Sequence, residues 1–272
     1  MKGYNCVVCI KQVPDTGKVT GEAMKADGTI NRAALPAIFN PEDRNALEAA
    51  LWVKENYGGT VTAITMGLPA AKAILREALM CGADRAVLVT DRKAAGSDTL
   101  ATSYILSQAV KKFAPDFIFC GRQAIDGDTA QVGPQIGEKL DCAVVTYLEK
   151  ILEVKEEGDG RRGVATVVRD IGTGVETCRA KLPALFTVTE KFGELRPFEM
   201  RRVMKHKNAE PEVLSCADIG CEDERCGFAG SPTSVNQIQS VVLAGGAYKE
   251  VEATEAGIGA FVAELIDNHT IG

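Results

Sequence analysis

Two histidines are all that this 272-residue sequence contains, and neither lies in a pattern typical of an active site. His206 stands between two lysines and His269 is close to the C-terminus, so serine–histidine catalysis and histidine-based zinc chemistry are poorly supported. No G-x-x-x-x-G-K-[ST] occurs, and no G-x-G-x-x-G joins a predicted strand to a helix, which disfavours a P-loop and an ordinary dinucleotide fingerprint. No pair of carboxylates with a histidine or cysteine stands out as acid–base machinery. We therefore predict no catalytic residue in this chain, and any redox chemistry would need a cofactor.

Long apolar runs and basic clusters are also missing. No stretch of about 18 apolar residues exists, so no membrane insertion is expected. The net charge is −6 at pH 7 and both signs are dispersed, so no nucleic-acid partner is predicted. The first residues run directly into a strand-like segment and lack the features of a secretory or transit peptide. We therefore expect a cytoplasmic protein.

The nine cysteines do not follow a common ligand spacing. Their number is odd and they are scattered, so disulfides are not expected in a reducing compartment. Cys6 and Cys9 lie on one predicted strand and point to opposite faces, so they cannot share a metal and are interpreted as core residues. Cys216, Cys221 and Cys226 follow one another at five-residue intervals, which is neither a zinc nor a ferredoxin spacing. We predict exposed or interface thiols there and no metal site.

The first 148 residues alternate apolar strands with helices. This order predicts an α/β fold with a doubly wound, mainly parallel sheet of the Rossmann-like, nucleotide-binding kind. Asn40 and Pro41 suit the start of the first helix, and Asp27-Gly28 indicates a hairpin turn in the loop before it. The predicted strands cover residues 5–13, 60–66, 85–89, 116–120 and 143–147.

After residue 148 the pattern changes to strands without helices between them. A mixed or antiparallel extension of the same sheet is predicted for 151–154, 163–169, 176–179 and 185–188. The chain from about 196 to 232 lacks the apolar density of a core, and an amphipathic helix capped by Thr254 follows over 255–267. We therefore divide the chain into a nucleotide-binding α/β domain over 1–195 and a C-terminal arm over 196–272 that docks on a partner.

Ligands of an open parallel sheet bind at the carboxyl ends of its strands, where the strand order reverses. Asp128 and Gln131 near one such end fit a capping box, which predicts a helix over 129–140 whose free N–H groups at Thr129 would bind phosphate. Gly127 would leave room for the ligand, whereas the two acids of this loop must cap donors or face away from an anion. The alternative on these local features is a solvated, capped loop. The loops at the strand ends are 11–15, 66–67 and 121–133.

Four short segments resemble the beta subunit of electron-transferring flavoproteins, in order and spacing, over nearly the whole chain. They are V-C-I-K-Q-V-P-D at 8–15, N-P at 40–41, T-M-G at 65–67 and C-G-R-Q-A-I-D-G-D at 120–128. A fifth segment, R-D-I-G-T-G-V-E-T-C-R-A-K-L-P at 169–183, is similar to the signature of that family. It departs where the family has an acid followed by two glycines, because this chain has Gly172-Thr173-Gly174, although Glu176 and Pro183 are retained.

The resemblance implies a set of residues that contact an adenine nucleotide at these strand ends. In one class of the family the site holds AMP, and in another, from anaerobes, it holds a second FAD. The small residues D-G-D-T-A-Q at 126–131 and the K-Q-V-P-D at 11–15 resemble the second class, so FAD is expected and AMP is the alternative. The residues so implied are Cys9, Asn40, Pro41, Glu42, Asp43, Met66, Gly67, Gln123, Ala124, Ile125, Asp126, Gly127, Asp128, Thr129, Ala130, Gln131, Val132, Gly133 and Pro134.

For the FAD class the resemblance implies electron bifurcation. FAD on this subunit would accept hydride from NADH and send one electron to ferredoxin or flavodoxin. The other electron would go to an FAD on the larger, alpha subunit and then to an acyl-CoA dehydrogenase-type partner. The chain would then oxidise NADH only in complex with the larger subunit. A nucleotide-binding regulatory module without redox function is a third interpretation.

Overall fold

The computed structural model describes residues 3–15, 35–156, 163–233, 250–268 and 270–271. The turn predicted at Asp27-Gly28 lies outside the described residues. The strands are β1 Tyr4–Cys9, β2 Gln12–Pro14, β3 Ala37–Phe39, β4 Gly59–Met66, β5 Arg85–Val89, β6 Phe117–Gly121, β7 Ala143–Lys155, β8 Val164–Asp170, β9 Val175–Lys181, β10 Ala184–Val188 and β11 Glu212–Leu214. The helices are α1 Pro41–Tyr57, α2 Lys72–Cys81, α3 Thr99–Lys111, α4 Val132–Lys139, α5 Met200–His206 and α6 Glu255–Asp267.

Nine of the strands just named form one sheet, in the order β11-β5-β4-β1-β6-β10-β7-β8-β9. The pairs from β11 to β7 are parallel, and β8 and β9 extend the sheet with antiparallel pairs. From β1 the chain builds outwards through β4 and β5 on one side and then crosses to β6 on the other. The strand order therefore reverses between β1 and β6, and a crevice forms at their carboxyl ends.

Alternate residues of the central strands face two apolar layers, as a doubly wound sheet requires. On β1, Cys6 and Val8 lie in the layer that contains residues of α1 and α2, whereas Val7 and Cys9 lie in the layer that contains residues of α3 and α4. All four side chains are buried. The predicted fold class is confirmed, and the two cysteines lie in opposite core layers as predicted.

The extension after residue 148 lies on the same sheet, but two of its strands differ from the predicted ones. The segments 143–147 and 151–154 belong to a single strand, β7, of 13 residues. β10 does not continue the antiparallel ladder, because it returns to the centre and lies parallel between β6 and β7. All five residues of β10 are buried, and a strand that is apolar on both faces favours the centre of a sheet.

The prediction that residues 196–232 lack the density of a core is wrong for part of this segment. β11 joins the sheet beside β5, and Leu214, Cys216, Ile219 and Cys226 are buried in the layer that contains residues of α3. The thiols of Cys216 and Cys226 are therefore not exposed, contrary to the prediction. These few apolar residues follow neither a helical nor a strand period, so the sequence pattern did not indicate their burial.

α6 begins and ends where the sequence predicted it. The Thr254 hydroxyl accepts a hydrogen bond from the Gly257 N–H at 3.1 Å, as expected of the N-cap. The apolar stripe of the helix is exposed to solvent, with 54% exposure at Ile258 and 39% at both Phe261 and Val262. An exposed stripe of this kind is typical of an interaction surface. Neither α6 nor any other helix in the described ranges has the length and apolar composition needed to cross a membrane.

Candidate functional site

A cavity of about 420 Å³ opens where the strand order reverses. Its floor is formed by the carboxyl ends of β1, β4 and β6, and its walls by the loop after β6 and the first turns of α3 and α4. Its volume lies in the range typical of small-molecule and cofactor sites. The surrounding residues are Cys9, Ile10, Lys11, Asp43, Met66, Ser97, Asp98, Thr99, Thr102, Leu106, and those at 120–124 and 127–133.

The cavity brings together most of the residues that the resemblance implied. Those on its floor or walls are Cys9, Asp43, Met66, Gln123, Ala124, Gly127, Asp128, Thr129, Ala130, Gln131, Val132 and Gly133. Those that do not line it are Asn40, Pro41, Glu42, Gly67, Ile125, Asp126 and Pro134. Contact of any of these residues with a nucleotide stays a prediction.

Two side chains at the start of α1 hold the loop that follows β6. The Asn40 Oδ1 accepts a hydrogen bond from the Ile125 N–H at 3.2 Å, and its Nδ2 donates to the Gln123 carbonyl at 2.9 Å. Glu42 accepts a hydrogen bond from the Gln123 N–H at 3.0 Å and forms an ion pair with Arg122 at 2.6 Å. Asn40 occupies the predicted N-cap position, but its side chain caps no helical N–H. Both residues therefore support the cavity from outside it.

Asp43 joins the carboxyl ends of β1 and β6. Its Oδ2 accepts a hydrogen bond from the Lys11 N–H at 2.8 Å, and its Oδ1 accepts one from the Gly121 N–H at 3.0 Å. Glycine is required at 121, because a Cβ there would lie 2.4 Å from the Asp43 Oδ1. Burial raises the pKa of the Asp43 carboxyl to about 7, against the lowering effect of these hydrogen bonds and one from Asn40. The carboxyl thus holds two strand ends together and titrates near neutral pH.

The helix after the loop begins three residues later than predicted, at Val132 rather than Thr129. Asp128 and Ala130 have φ values of 48° and 53°. A right-handed helix cannot include these left-handed conformations. Thr129 therefore lies in irregular backbone between two residues that break the helix.

Asp128 and Gln131 do not form the predicted capping box. The Asp128 Oδ1 accepts a hydrogen bond from the Gln123 Nε2 at 3.0 Å, and the Gln131 Oε1 accepts one from the Thr99 hydroxyl at 2.8 Å. Gln131 occupies the N-cap position of α4 without capping any N–H by its side chain. The two side chains instead join different parts of the cavity wall, and the first turn of α4 has no side-chain cap.

The backbone of residues 129–133 supplies donors that suit an anion. Within the part of the chain that the structure describes, the N–H groups of these residues have no hydrogen-bond acceptor. Uncompensated N–H groups at a helix start, together with the helix dipole, favour a phosphate. Gly127 leaves the approach open, because a Cβ built there would meet nothing within 4 Å. These residues fit the phosphate of a nucleotide, although α4 begins later than predicted.

The cations that line the cavity are paired with carboxylates. Lys11 Nζ lies 2.7 Å from an Asp126 oxygen, and Arg122 is held by Glu42. The bond to Glu42 raises the pKa of the Arg122 guanidinium above its ordinary value, so this group stays charged. Of the two acids of the loop, Asp126 is thereby paired with a cation, whereas Asp128 accepts a hydrogen bond from the neutral Gln123 amide.

The first turn of α3 forms a wall that the sequence analysis missed. Asp98, Thr99 and Thr102 line the cavity there. The Asp98 carboxylate caps α3 by accepting hydrogen bonds from the Leu100 and Ala101 N–H groups at 2.9 and 3.0 Å. Aspartate directly before a helical pattern, in the segment that follows the predicted strand 85–89, was the signal for this wall. Because its N–H groups are already capped, this helix start offers hydroxyl groups rather than an anion site.

Comparison with known proteins shows the family to which the chain belongs. A family model described as the electron transfer flavoprotein domain matches residues 27–219. Protein FixA of Azorhizobium caulinodans is 46% identical over 238 residues, which cover 85% of this chain and 83% of that protein. The electron transfer flavoprotein beta subunit of Clostridium acetobutylicum is 44% identical over 233 residues (86% of each chain), and that of Megasphaera elsdenii is 45% identical over 240 residues (85% and 86%). The chain therefore belongs to the electron transfer flavoprotein family, as a small, beta-type subunit with a role in electron transfer.

Proposed function

We propose that the cavity binds FAD and that this chain transfers electrons only together with a larger, alpha subunit. The observation that carries the proposal is the group of N–H donors at 129–133, which have no acceptor among the described residues and lie beside Gly127 at the reversal of strand order. A pyrophosphate accepts hydrogen bonds from such donors. Met66, Leu106 and Val132 add apolar surface to the same cavity, as binding of a nucleotide base requires.

FAD, when bound, would supply the redox chemistry by accepting hydride from NADH and passing single electrons to ferredoxin or flavodoxin and, through the larger subunit's FAD, to an acyl-CoA dehydrogenase-type partner. The residues of this chain would bind the cofactor and orient it. Asn40, Glu42 and Asp43 hold the two strand ends and the loop after β6 in one arrangement. The backbone donors of that loop are therefore preorganised, and little ordering is left for the ligand to impose.

AMP is the second candidate ligand. The N–H donors at 129–133 and the cavity volume of about 420 Å³ suit AMP as well as the adenosine phosphate part of FAD. The resemblance of D-G-D-T-A-Q at 126–131 to the class that holds FAD is what favours FAD over AMP.

The larger subunit would cover α6. No residue of α6 is buried. Its exposed stripe of Ile258, Phe261 and Val262 therefore needs a partner surface. Since β11 and the residues that follow it pack on the sheet, we place the docking surface on α6 rather than on the whole segment from 196.

The nucleotide content of the purified two-subunit complex tests the proposal. Two FAD and no AMP per complex would support it, whereas one FAD and one AMP would support the AMP-holding carrier. A bound nucleotide without any flavin would indicate a regulatory module. In a second measurement, excess NADH added without oxygen should bleach the visible flavin spectrum, and a spectrum that stays oxidised would contradict hydride acceptance from NADH.

A further inference from the structure

Three cysteines that follow one another at five-residue intervals converge in the segment after β11. The sulfur atoms of Cys216, Cys221 and Cys226 all lie within 4.8 Å of one another. Cys216 and Cys226 are buried, and Cys221 is half-buried. The cluster lies outside the cavity and has no role in the function proposed above.

Hydrogen bonds of the backbone hold the three thiols in this arrangement. The Cys216 N–H donates to the Asp91 carboxylate at 3.1 Å, and the Cys221 N–H donates to the Cys216 carbonyl at 2.9 Å. The Cys226 N–H donates to the Asp223 carbonyl at 3.1 Å. The convergence therefore follows from the fold of the segment and does not depend on a bound ion.

We propose that Cys216, Cys221 and Cys226 form a site for one thiophilic divalent metal ion of the Zn²⁺ class. Each thiol would lose its proton, and the three thiolates would bind the ion. A water or another oxygen or nitrogen ligand would take the fourth position. Zn–S bonds of about 2.3 Å place tetrahedral sulfur ligands roughly 3.8 Å apart. No two of the sulfur atoms in the protein are more than 4.8 Å apart, so each separation exceeds this value by at most about 1 Å.

The cluster lies in the interior, as structural metal sites commonly do, because Cys216 and Cys226 are buried and Cys221 is half-buried. A bound divalent cation would compensate two of the three thiolate charges, as it does in structural zinc sites with thiolate ligands.

Binding of the ion would reinforce one wall of the cavity. The segment that carries the cysteines continues to Ser231, whose hydroxyl accepts a hydrogen bond from the Asp98 N–H at 2.8 Å, and to Thr233, whose hydroxyl donates to the Asp98 carboxylate at 2.7 Å. Asp98 caps α3 and lines the cavity. This coupling rests on the proposed nucleotide site, whereas the metal site itself does not.

Titration with Cd²⁺ of the reduced, metal-depleted two-subunit complex tests the proposal. Wild type should bind one equivalent with a thiolate-to-metal charge-transfer band in the ultraviolet. Cys221→Ser should bind at least about tenfold more weakly, since even loss of an outer-shell partner costs about that much, and its band should be weaker because one of three thiolates is gone. Cys178→Ser is the control, because Cys178 is also half-buried but lies on β9. Since Cys221 is half-buried, its substitution should not unfold the chain, and the melting temperature checks this.

Two results would overturn the metal site. One is equal Cd²⁺ stoichiometry and absorbance in Cys221→Ser and wild type. The other is a disulfide between two of the three cysteines, found by mass spectrometry of the complex isolated without oxygen, which would indicate a thiol pair instead. Nucleotide content measured on the same samples distinguishes failure of this proposal from failure of the proposed cofactor site.

Discussion

Asn40→Ala distinguishes a residue that supports the cavity from one that contacts the nucleotide. The Asn40 side chain is fully buried, and the variant loses its hydrogen bonds from the Ile125 N–H and to the Gln123 carbonyl, together with the one to the Asp43 carboxyl. These two backbone bonds are part-buried, so each group left without a partner should cost the lower part of the roughly 1–3 kcal/mol of an unsatisfied buried group, about 1–2 kcal/mol. With two such groups, the free energy of unfolding should fall by about 2–4 kcal/mol.

This fall in the free energy of unfolding should be the same in protein stripped of nucleotide and in protein that carries it, because the lost hydrogen bonds lie within the chain. Urea unfolding of the complex in the two states measures it. Asn56→Ala is the matched control, since Asn56 lies on the same helix with an exposed hydrogen bond to the Trp52 carbonyl, and it should change stability by less than about 0.5 kcal/mol. A stripped Asn40→Ala protein as stable as wild type, with only the ligand-dependent stabilisation lost, would refute the supporting role.

Three further predictions concern the ligand, pH and the partner. Gly127→Val should abolish nucleotide binding without changing the melting temperature of protein stripped of nucleotide. The control Gly174→Val, on the β8–β9 turn, should bind nucleotide normally, because a Cβ at either glycine meets nothing within 4 Å. Normal nucleotide occupancy in Gly127→Val would place the ligand elsewhere. The folded state holds the Asp43 proton more tightly than the unfolded state, so stability relative to Asp43→Asn should fall as pH rises from about 4 to about 7, measured by urea unfolding; a difference independent of pH would contradict the raised pKa. Phe261→Asp should weaken binding to the larger subunit at least about tenfold by calorimetry, and Ala260→Asp on the opposite side of α6 should not; equal affinities would remove α6 from the interface.

Features that depend on sequence neighbours were predictable. The bounds of α6 and its cap at Thr254 follow from helical periodicity and from capping chemistry. The strand segments follow from apolar runs, and their parallel arrangement follows from the alternation with helices. The position of the cavity followed in turn, because carboxyl ends of parallel strands meet at one edge.

Strand order depends on contacts between distant segments, and here the local pattern was insufficient. β11 has three residues, of which only Leu214 is buried, so its own sequence did not indicate a strand of the central sheet. β10 was recognised as a strand, but not as one that returns between β6 and β7. The cysteine cluster was missed for the same reason, since its spacing matches no motif and the fold alone brings the sulfur atoms together.

Within the site, the resemblance could not separate residues that line the cavity from residues that support it. Asn40 and Glu42 lie at the family's motif positions, yet their side chains bond to the loop after β6 and not to the cavity. The left-handed backbone at Ala130 had no signal either, because alanine favours helix and does not favour positive φ. Tertiary contacts of the loop override that local preference.

Asp128 has a different role from the predicted helix cap, and a double-mutant cycle with Gln123 tests it. If Asp128 accepts the hydrogen bond from the Gln123 Nε2 at 3.0 Å, either substitution to alanine removes the same bond. We expect a coupling of about 0.5–1 kcal/mol between Asp128→Ala and Gln123→Ala, measured by urea unfolding. Asp128→Ala should cost roughly 1 kcal/mol more than Gln123→Ala, because alanine is disfavoured at a φ of 48°. Asp128→Asn keeps both an acceptor and a tolerance for this φ, so it should resemble wild type. The strain at this φ acts independently of Gln123, so only the coupling reports on the bond, and a coupling of zero would contradict the hydrogen bond between the two side chains.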